Sequence, residues 1–546
     1  MKKVFTVFFK CFAVFLVLLI VVAATLFDVP NLIRMYVSDK SGTSFESKYV
    51  VDESGNFIAN IPYDEYLVEN EVNGLKVYDI RDFGASTDAD FKTNRDAIND
   101  AIKSANENGG GMVLVSGGKY SCANIELLSN VTLRIEKDSV LTNITYDQDK
   151  QENTEFHSIE ENNSMYKNAL IYANNAENIT IEGPGRLEGN GATYCYPAED
   201  SSLFLPLDDF NLKTYIYEHR KRIMFGKEGE MFRDFILGIN FCKNVTVRNL
   251  EIYEAGSWTC RMENNENLLF ERVILNNNFR VANTDGIDIM GGKNITIRKC
   301  FIATGDDAVC LKTDPYTDAI DNVLIEDCEI TSLANCFKVG TATYHDVKNV
   351  TMKNCYLFMP GIAGGYAGIA VEATDGGNVS DIHFENIEMD HVTTPILVWL
   401  GYRHEGSTLS DVSFENLNAK GCDIASSITG YKKDGTVHNV ENISLKNINV
   451  EYRDSEETTD IFFFNNAYEG FMNMGGYPES TRVSHMYLIS HELSPYYDLP
   501  VYGLFVRNTD GITVENFNVK PRSCNKRSAD NLDKTEKYNI SNVIEQ

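Results

Sequence analysis

The stretch NITIRKCFI, Asn294–Ile302, returns as NVLIEDCEI at Asn322–Ile330 and again as NVTMKNCYL at Asn349–Leu357. In each copy apolar and polar residues alternate, the period of a strand with one buried face. The phrase continues in both directions: NVTVRNLEI at Asn244, NLLFERVIL at Asn267, DIHFENIEM at Asp381, DVSFENLNA at Asp411, NISLKNINV at Asn442, with NITIEG at Asn178 and GITVENFNV at Gly511 further out. Successive copies between Asn244 and Asn442 lie 23–32 residues apart. A period of that size is the mark of a solenoid, and the intervals hold turn residues where a helix of ordinary length would not fit. The expected fold is all-β, a single-stranded right-handed parallel β-helix whose alternate residues stack inside, coil upon coil at about 4.8 Å. The leading Asn or Asp of each phrase suits a left-handed turn position.

A solenoid needs its ends covered. TNRDAINDAIKSANENGGG, Thr93–Gly111, puts Ala97, Ile98, Ala101, Ile102 and Ala105 on one helical face and stops at glycine, so it is read as an N-terminal capping helix. The chain opens with Lys2, Lys3 and Lys10 before an apolar run from Cys11 to Phe27. Residues 1–27 are read as a signal anchor or signal peptide, the uncleaved anchor preferred because the run just reaches membrane-spanning length. Residues 28–74 then form an extracellular stalk, 75–525 the β-helix domain with a long inserted loop at 453–508, and 526–546 a tail. The protein would be secreted or held outside the membrane by its N-terminal segment.

A formal charge of −30 over 546 residues excludes a nucleic-acid partner, which requires clustered basic surface. Twelve cysteines in an exported chain suggest disulfides. However, Cys300, Cys328 and Cys355 hold one place in three successive repeats, which reads as buried thiols packing as small hydrophobes.

Writing the coils over one another matches Val309 and Leu311 with Ile287 and Ile289 behind and with Phe337 and Val339 ahead. Asp307 then shares a column with Asp285 and Asn335, and Asp306 adjoins it. Carboxylates crowded in this way raise one another's pKa, which suits an acid and a base acting on one bond, as in glycoside hydrolysis. Turn formation and a Ca²⁺ site are the competing readings of the same residues.

NTDGIDI at Asn283–Ile289 and GDDAV at Gly305–Val309 resemble glycoside hydrolase family 28, the polygalacturonases and rhamnogalacturonan hydrolases, with their pectin-lyase-like solenoid. The resemblance extends through VYDIRDFGASTDADFKTNRDAINDAI near Val77, GPGRLEGNG at Gly183 and LPVYGLFVRN at Leu499. It implies inverting hydrolysis without metal or organic cofactor, with Asp306 as general acid and Asp285 and Asp307 activating water. Two positions depart from the family pattern. Asn335 stands where a histidine is usual, and Ala370 and Glu372 replace the arginine and lysine that grip a uronate carboxylate. Repulsion from Glu372 would disfavour a uronate there, pointing to a neutral sugar such as rhamnose.

Lys338 and Lys312 fall on the same strand face, Lys312 in a column with Glu372. Either they form a surface ion-pair ladder, or Lys338 turns into the cleft and binds a uronate. Trp399, Tyr402 and Arg403 are candidates for a sugar-stacking wall, with core packing the other reading of Trp399. The expected substrate is therefore a pectic polysaccharide or oligosaccharide. A calcium-dependent pectate lyase and a noncatalytic glycan-binding β-helix are the alternatives.

Overall fold

The computed structural model describes residues 74–145, 168–194, 233–452 apart from 279–280, 282, 360–366 and 423–424, and 501–520. It also describes Tyr66, Leu67 and four short strands at Tyr49–Val51, Phe57–Ala59, Ser528–Asp530 and Ile540–Glu545. Residues 1–27 and 453–500, read above as export segment and loop, lie outside the described residues. Among the described residues no helix is long and apolar enough to cross a membrane.

The repeats pair in parallel, coil on coil, as one continuous sheet. Each phrase meets the next in the register that its alternation predicts. Val245, Leu268, Ile295, Val323, Val350, Ile382, Val412, Ile443 and Ile512 form an unbroken internal column, all buried in one hydrophobic core. The chain is thus a parallel β-solenoid. Its regularity follows from the period: a shift of one residue would turn every aliphatic side chain outward.

The leading residues of the phrases adopt the expected left-handed conformation, with φ of 56° at Asn244, 58° at Asn267, 58° at Asn294 and 58° at Asp381. Asparagine tolerates this region better than other side chains. Several of these amides also form a ladder, Asn322 donating to Asn294 at 2.8 Å, Asn294 to Asn267 at 3.0 Å and Asn267 to Asn244 at 2.9 Å. Cys300, Cys328 and Cys355 are buried free thiols as expected.

The helix runs from Phe91 to Glu107. Asp90 caps it by accepting from the backbone N–H groups of Lys92 and Thr93 at 2.9 and 3.0 Å. Its apolar face, Ala97, Ile98, Ala101, Ile102 and Ala105, joins the core beside Val113 and Leu133.

Three boundaries differ from the sequence reading. Within the supposed stalk, Tyr66 is docked on the solenoid, its ring 6.1 Å from that of Phe301 in an edge-on contact. The loop expected to last until residue 508 has ended by Val501, because Val501–Arg507 is a strand that pairs with Ser426–Thr429. The supposed tail adds strands: Ser528–Asp530 pairs beside Val501–Leu504, and Ile540–Glu545 beside Thr509–Val514. These strands lack the full repeat phrase, and only the pairing reveals them.

Candidate active site

One flank of the solenoid carries the strands Cys260–Asn276, Ile287–Arg298, Val309–Thr313, Asn335–Thr343, Ala367–Ala373 and Thr394–Leu400. The predicted register holds, with Ile287 opposite Val309 and Val309 opposite Phe337. Asp285 and Asp307 therefore end consecutive turns at the edge of this flank. The Gly286 N–H donates to the Asp307 carbonyl at 2.9 Å and the Ala308 N–H to the Asn335 carbonyl at 2.8 Å, tying the three turns together.

Asp285, Asp306 and Asp307 converge. Each presents a carboxylate oxygen within 4.8 Å of the others, and all three side chains are buried. The Asp306 carboxylate accepts from the Asp307 N–H at 3.1 Å. Its backbone carbonyl accepts from the Ser332 hydroxyl at 2.6 Å, which fixes the turn. Asn335 donates its amide to Asp307 Oδ1 at 2.7 Å and accepts from the Ala367 N–H at 3.2 Å. At the position of the family's histidine, then, the chain places a neutral hydrogen-bond donor on the same cluster.

Both lysines turn to the aspartates. Lys338, 1 % exposed, places its ammonium 3.2 Å from Asp307 Oδ2. Lys312 donates to Asp285 Oδ2 at 2.8 Å and to Asp288 Oδ1 at 2.7 Å. The surface ladder between Lys312 and Glu372 is not formed. The register shifts between Leu311 and Thr313, and Glu372 is buried and accepts instead from the Thr341 hydroxyl at 2.7 Å. Lys338 has no place in an open cleft either, because its ammonium is buried and paired with Asp307.

Asp288 and Trp258 were not singled out in the sequence. Strand alternation between Ile287 and Ile289 places Asp288 on the outward face, and the chain has only two tryptophans; both signals were available. The Lys312 nitrogen lies 4.1 Å from the centroid of the Trp258 ring. Behind it Arg261 faces the same ring at 5.3 Å and is ion-paired with Glu263.

Five carboxyl groups, Asp285, Asp288, Asp306, Asp307 and Glu372, thus crowd together with two ammonium groups, Lys312 on Asp285 and Asp288 and Lys338 on Asp307 with Glu372 near it. Burial pushes Asp285 well above the usual carboxylate range, against the pull of Lys312, and the neighbouring aspartates add to the rise. Burial likewise pushes Asp288 up to about 6 and raises Glu372, against the pull of Lys338 and the Thr341 hydrogen bond. For Lys312 burial works the other way, but the charges of Asp285 and Asp288 outweigh it and hold the ammonium protonated. A cluster so charged can keep one carboxyl protonated while another is ionised, the requirement for acid and base on one bond. The three aspartates could also reach one cation, but a Ca²⁺ ion there would have to compete with the ammonium groups that already sit on Asp285 and Asp307.

The stacking wall is not formed as expected. Trp399 is 1 % exposed and lies beside Glu372 in register, which leaves no open ring face. Arg403 is held by Asp375, its Nε donating to Oδ1 at 2.6 Å, and His404 Nδ1 lies 2.9 Å from the same oxygen. Burial alone would raise the Asp375 carboxyl, yet these hydrogen bonds carry it below its ordinary range.

The model for glycosyl hydrolases family 28 matches residues 122–466. An endo-polygalacturonase of Pectobacterium carotovorum subsp. carotovorum is 25 % identical over 339 residues, 61 % of this chain and 79 % of the relative. Among solved structures, the exopolygalacturonase of Thermotoga maritima superposes with a TM-score of 0.54 at 21 % identity, covering 71 % of this chain and 90 % of that one. The family 28 exopolygalacturonase of Yersinia enterocolitica gives 0.55 at 14 % identity, over 86 % and 78 %. These two carry the fold. With the family model spanning more than half the chain and both motif turns inside it, the protein belongs to glycosyl hydrolase family 28 and is a polygalacturonase-like glycosidase.

Proposed function

We propose that the protein hydrolyses glycosidic bonds of a pectic polysaccharide, with Asp306 protonating the leaving oxygen and Asp285 and Asp307 holding and deprotonating water. The observation that carries this assignment is the placing of the two ammonium groups. Lys312 and Lys338 sit on Asp285 and Asp307 and favour the ionised forms that bases require, in the case of Asp285 against the burial that raises it.

At the cleavage subsite we favour a neutral sugar, rhamnose in a rhamnogalacturonan, over galacturonate. Ala370 and Glu372 offer no cation where the family has two, and Lys338 is committed to Asp307. Plain polygalacturonan, named by the relatives, is the substrate to test against. A right-handed coil, the Phe91–Glu107 helix as its N-terminal cap, and export by residues 1–27 to the cell exterior, secreted or anchored, complete the reading.

The test is digestion of a panel of pectic oligosaccharides with products followed by NMR. Cleavage should invert the anomeric configuration, and Asp306→Asn should lower the rate by about 10²–10⁴-fold. The nearest carboxylate oxygens, all within 4.8 Å, are closer than the roughly 6.5–9.5 Å of a two-carboxylate inverting pair. The first-formed anomer is therefore a demanding measurement: retention would sink the mechanism. An unsaturated product abolished by chelator would replace it with a lyase, and binding without cleavage would leave a noncatalytic glycan-binding solenoid.

A further inference from the structure

The Lys312 ammonium has three N–H donors and three neighbours. Two are carboxylates, Asp285 Oδ2 at 2.8 Å and Asp288 Oδ1 at 2.7 Å. The third is the face of Trp258, 4.1 Å away, at a distance where a ring attracts a cation. Lys312 is thereby held from two sides, by the strand that carries Asp288 and by the turn that carries Trp258.

The consequence falls on Asp285. Its Oδ2 is pinned, while its Oδ1 is buried and has no hydrogen-bond partner among the described residues. A buried carboxylate oxygen left without a donor is costly and is the atom expected to receive one from a reacting water. Asp288 is fully buried, and it acts on Asp285 both through the lysine that the two share and through its own charge.

We propose that Asp288, Lys312 and Trp258 form a positioning unit that sets both the aim and the ionisation of Asp285. The proposal rests on the reading of Asp285 as a water-activating base. The charged groups facing Asp285 are Lys312, Asp288, Asp306 and Asp307. Those facing Lys312 are Asp285, Asp288, Asp307 and the Cys310 thiol, with the Lys338 ammonium repelling it from the next coil, while Arg261 acts on Asp288 from the preceding coil. Removing the cation must make Asp285 harder to ionise. Removing Asp288 must do the opposite, because Lys312 then keeps Asp285 as its one hydrogen-bonded carboxylate and a neighbouring negative charge is gone.

The experiment uses the full chain labelled with ¹³Cγ-aspartate. The Asp285 resonance is assigned with Asp285→Asn and titrated by NMR, alongside the pH dependence of kcat/KM on whichever pectic oligosaccharide is cleaved. In Lys312→Met the Asp285 midpoint and the acid limb of kcat/KM should rise by about 1–3 pH units. Lys312→Arg should restore most of the shift. Asp288→Asn should move both downward, and Trp258→Leu should move them upward by less than Lys312→Met. A role in packing alone would lower activity without shifts of opposite sign.

Should Lys312→Met not fold, the double variant Lys312→Met/Asp288→Asn removes one charge of each sign. Its Asp285 midpoint is expected above that of the wild type, and a midpoint at or below it overturns the proposal. An unmoved midpoint in Lys312→Met, or shifts of the same sign in Lys312→Met and Asp288→Asn, also overturns it while leaving the hydrolase reading intact. Opposite shifts in a protein that cleaves no glycan would uphold the positioning unit and remove the hydrolase reading.

Discussion

Lys338→Met tests the electrostatics of the site most directly. The substitution keeps the length of a side chain that is 1 % exposed and removes a charge 3.2 Å from Asp307 Oδ2. At that separation an effective dielectric of about 20 gives an attraction of about 5 kcal/mol. Breaking a buried pair by deleting one partner costs about 3–5 kcal/mol, because the remaining charge keeps its desolvation penalty. Two carboxyls would lose their countercharge, since Lys338 also acts on Glu372. Both can relieve the strain by binding protons. A carboxyl whose folded-state pKa is raised is least costly below its unfolded value, near 4. Its cost grows as pH rises through the folded value. The loss should therefore be largest at pH 7–8 and shrink toward pH 4, and adding Glu372→Gln should recover part of it. The two tryptophans flank the cluster, Trp258 against Lys312 and Trp399 beside Glu372. Urea unfolding followed by tryptophan fluorescence thus reports on this part of the solenoid. A loss below about 1 kcal/mol at pH 7.5, set against the 3–5 expected, would refute the reasoning, as would a loss that stays constant between pH 7.5 and 5.

Asn335→Ala should cost about 1–3 kcal/mol in urea unfolding, because it strips Asp307 of its 2.7 Å donor and the Ala367 N–H of its acceptor. It should also raise the acid limb of any hydrolytic activity. Trp399→Ala should destabilise the fold by about 3–5 kcal/mol through the cavity it leaves, with the pattern of cleavage products unchanged; a selective loss of substrate affinity would instead restore Trp399 to the binding surface. Arg403→Ala should flatten the fall in stability on acidification. The Asp375 carboxyl, held below its ordinary value, contributes stability above the unfolded pKa near 4 and loses it as pH drops further. Thermal unfolding between pH 2 and 5 gives the comparison.

The solenoid was legible because its signal is repeated: any one nine-residue phrase is ambiguous, but the spaced copies are not. The Asp285–Asp307–Asn335 column followed from the same register, since stacked strands carry equal positions into contact. Where the phrase is lost, so was the reading. The Val501–Arg507 strand and the strands after residue 525 lack its full pattern, and only pairing with earlier coils identifies them.

The sequence by itself determined the architecture and the meeting of three carboxylates, because both depend on a period and a register that can be counted along the chain. Only the tertiary structure decided what surrounds them. Alternation says that Lys312, Lys338, Glu372 and Trp399 point away from the core. It cannot say that the space they point into is itself closed, so a surface ladder and an open sugar wall became buried partners of the aspartates and a buried ring. Burial and the choice of partner depend on residues from several coils at once, and for a charge they decide whether it serves as surface decoration or as the counterion of a base.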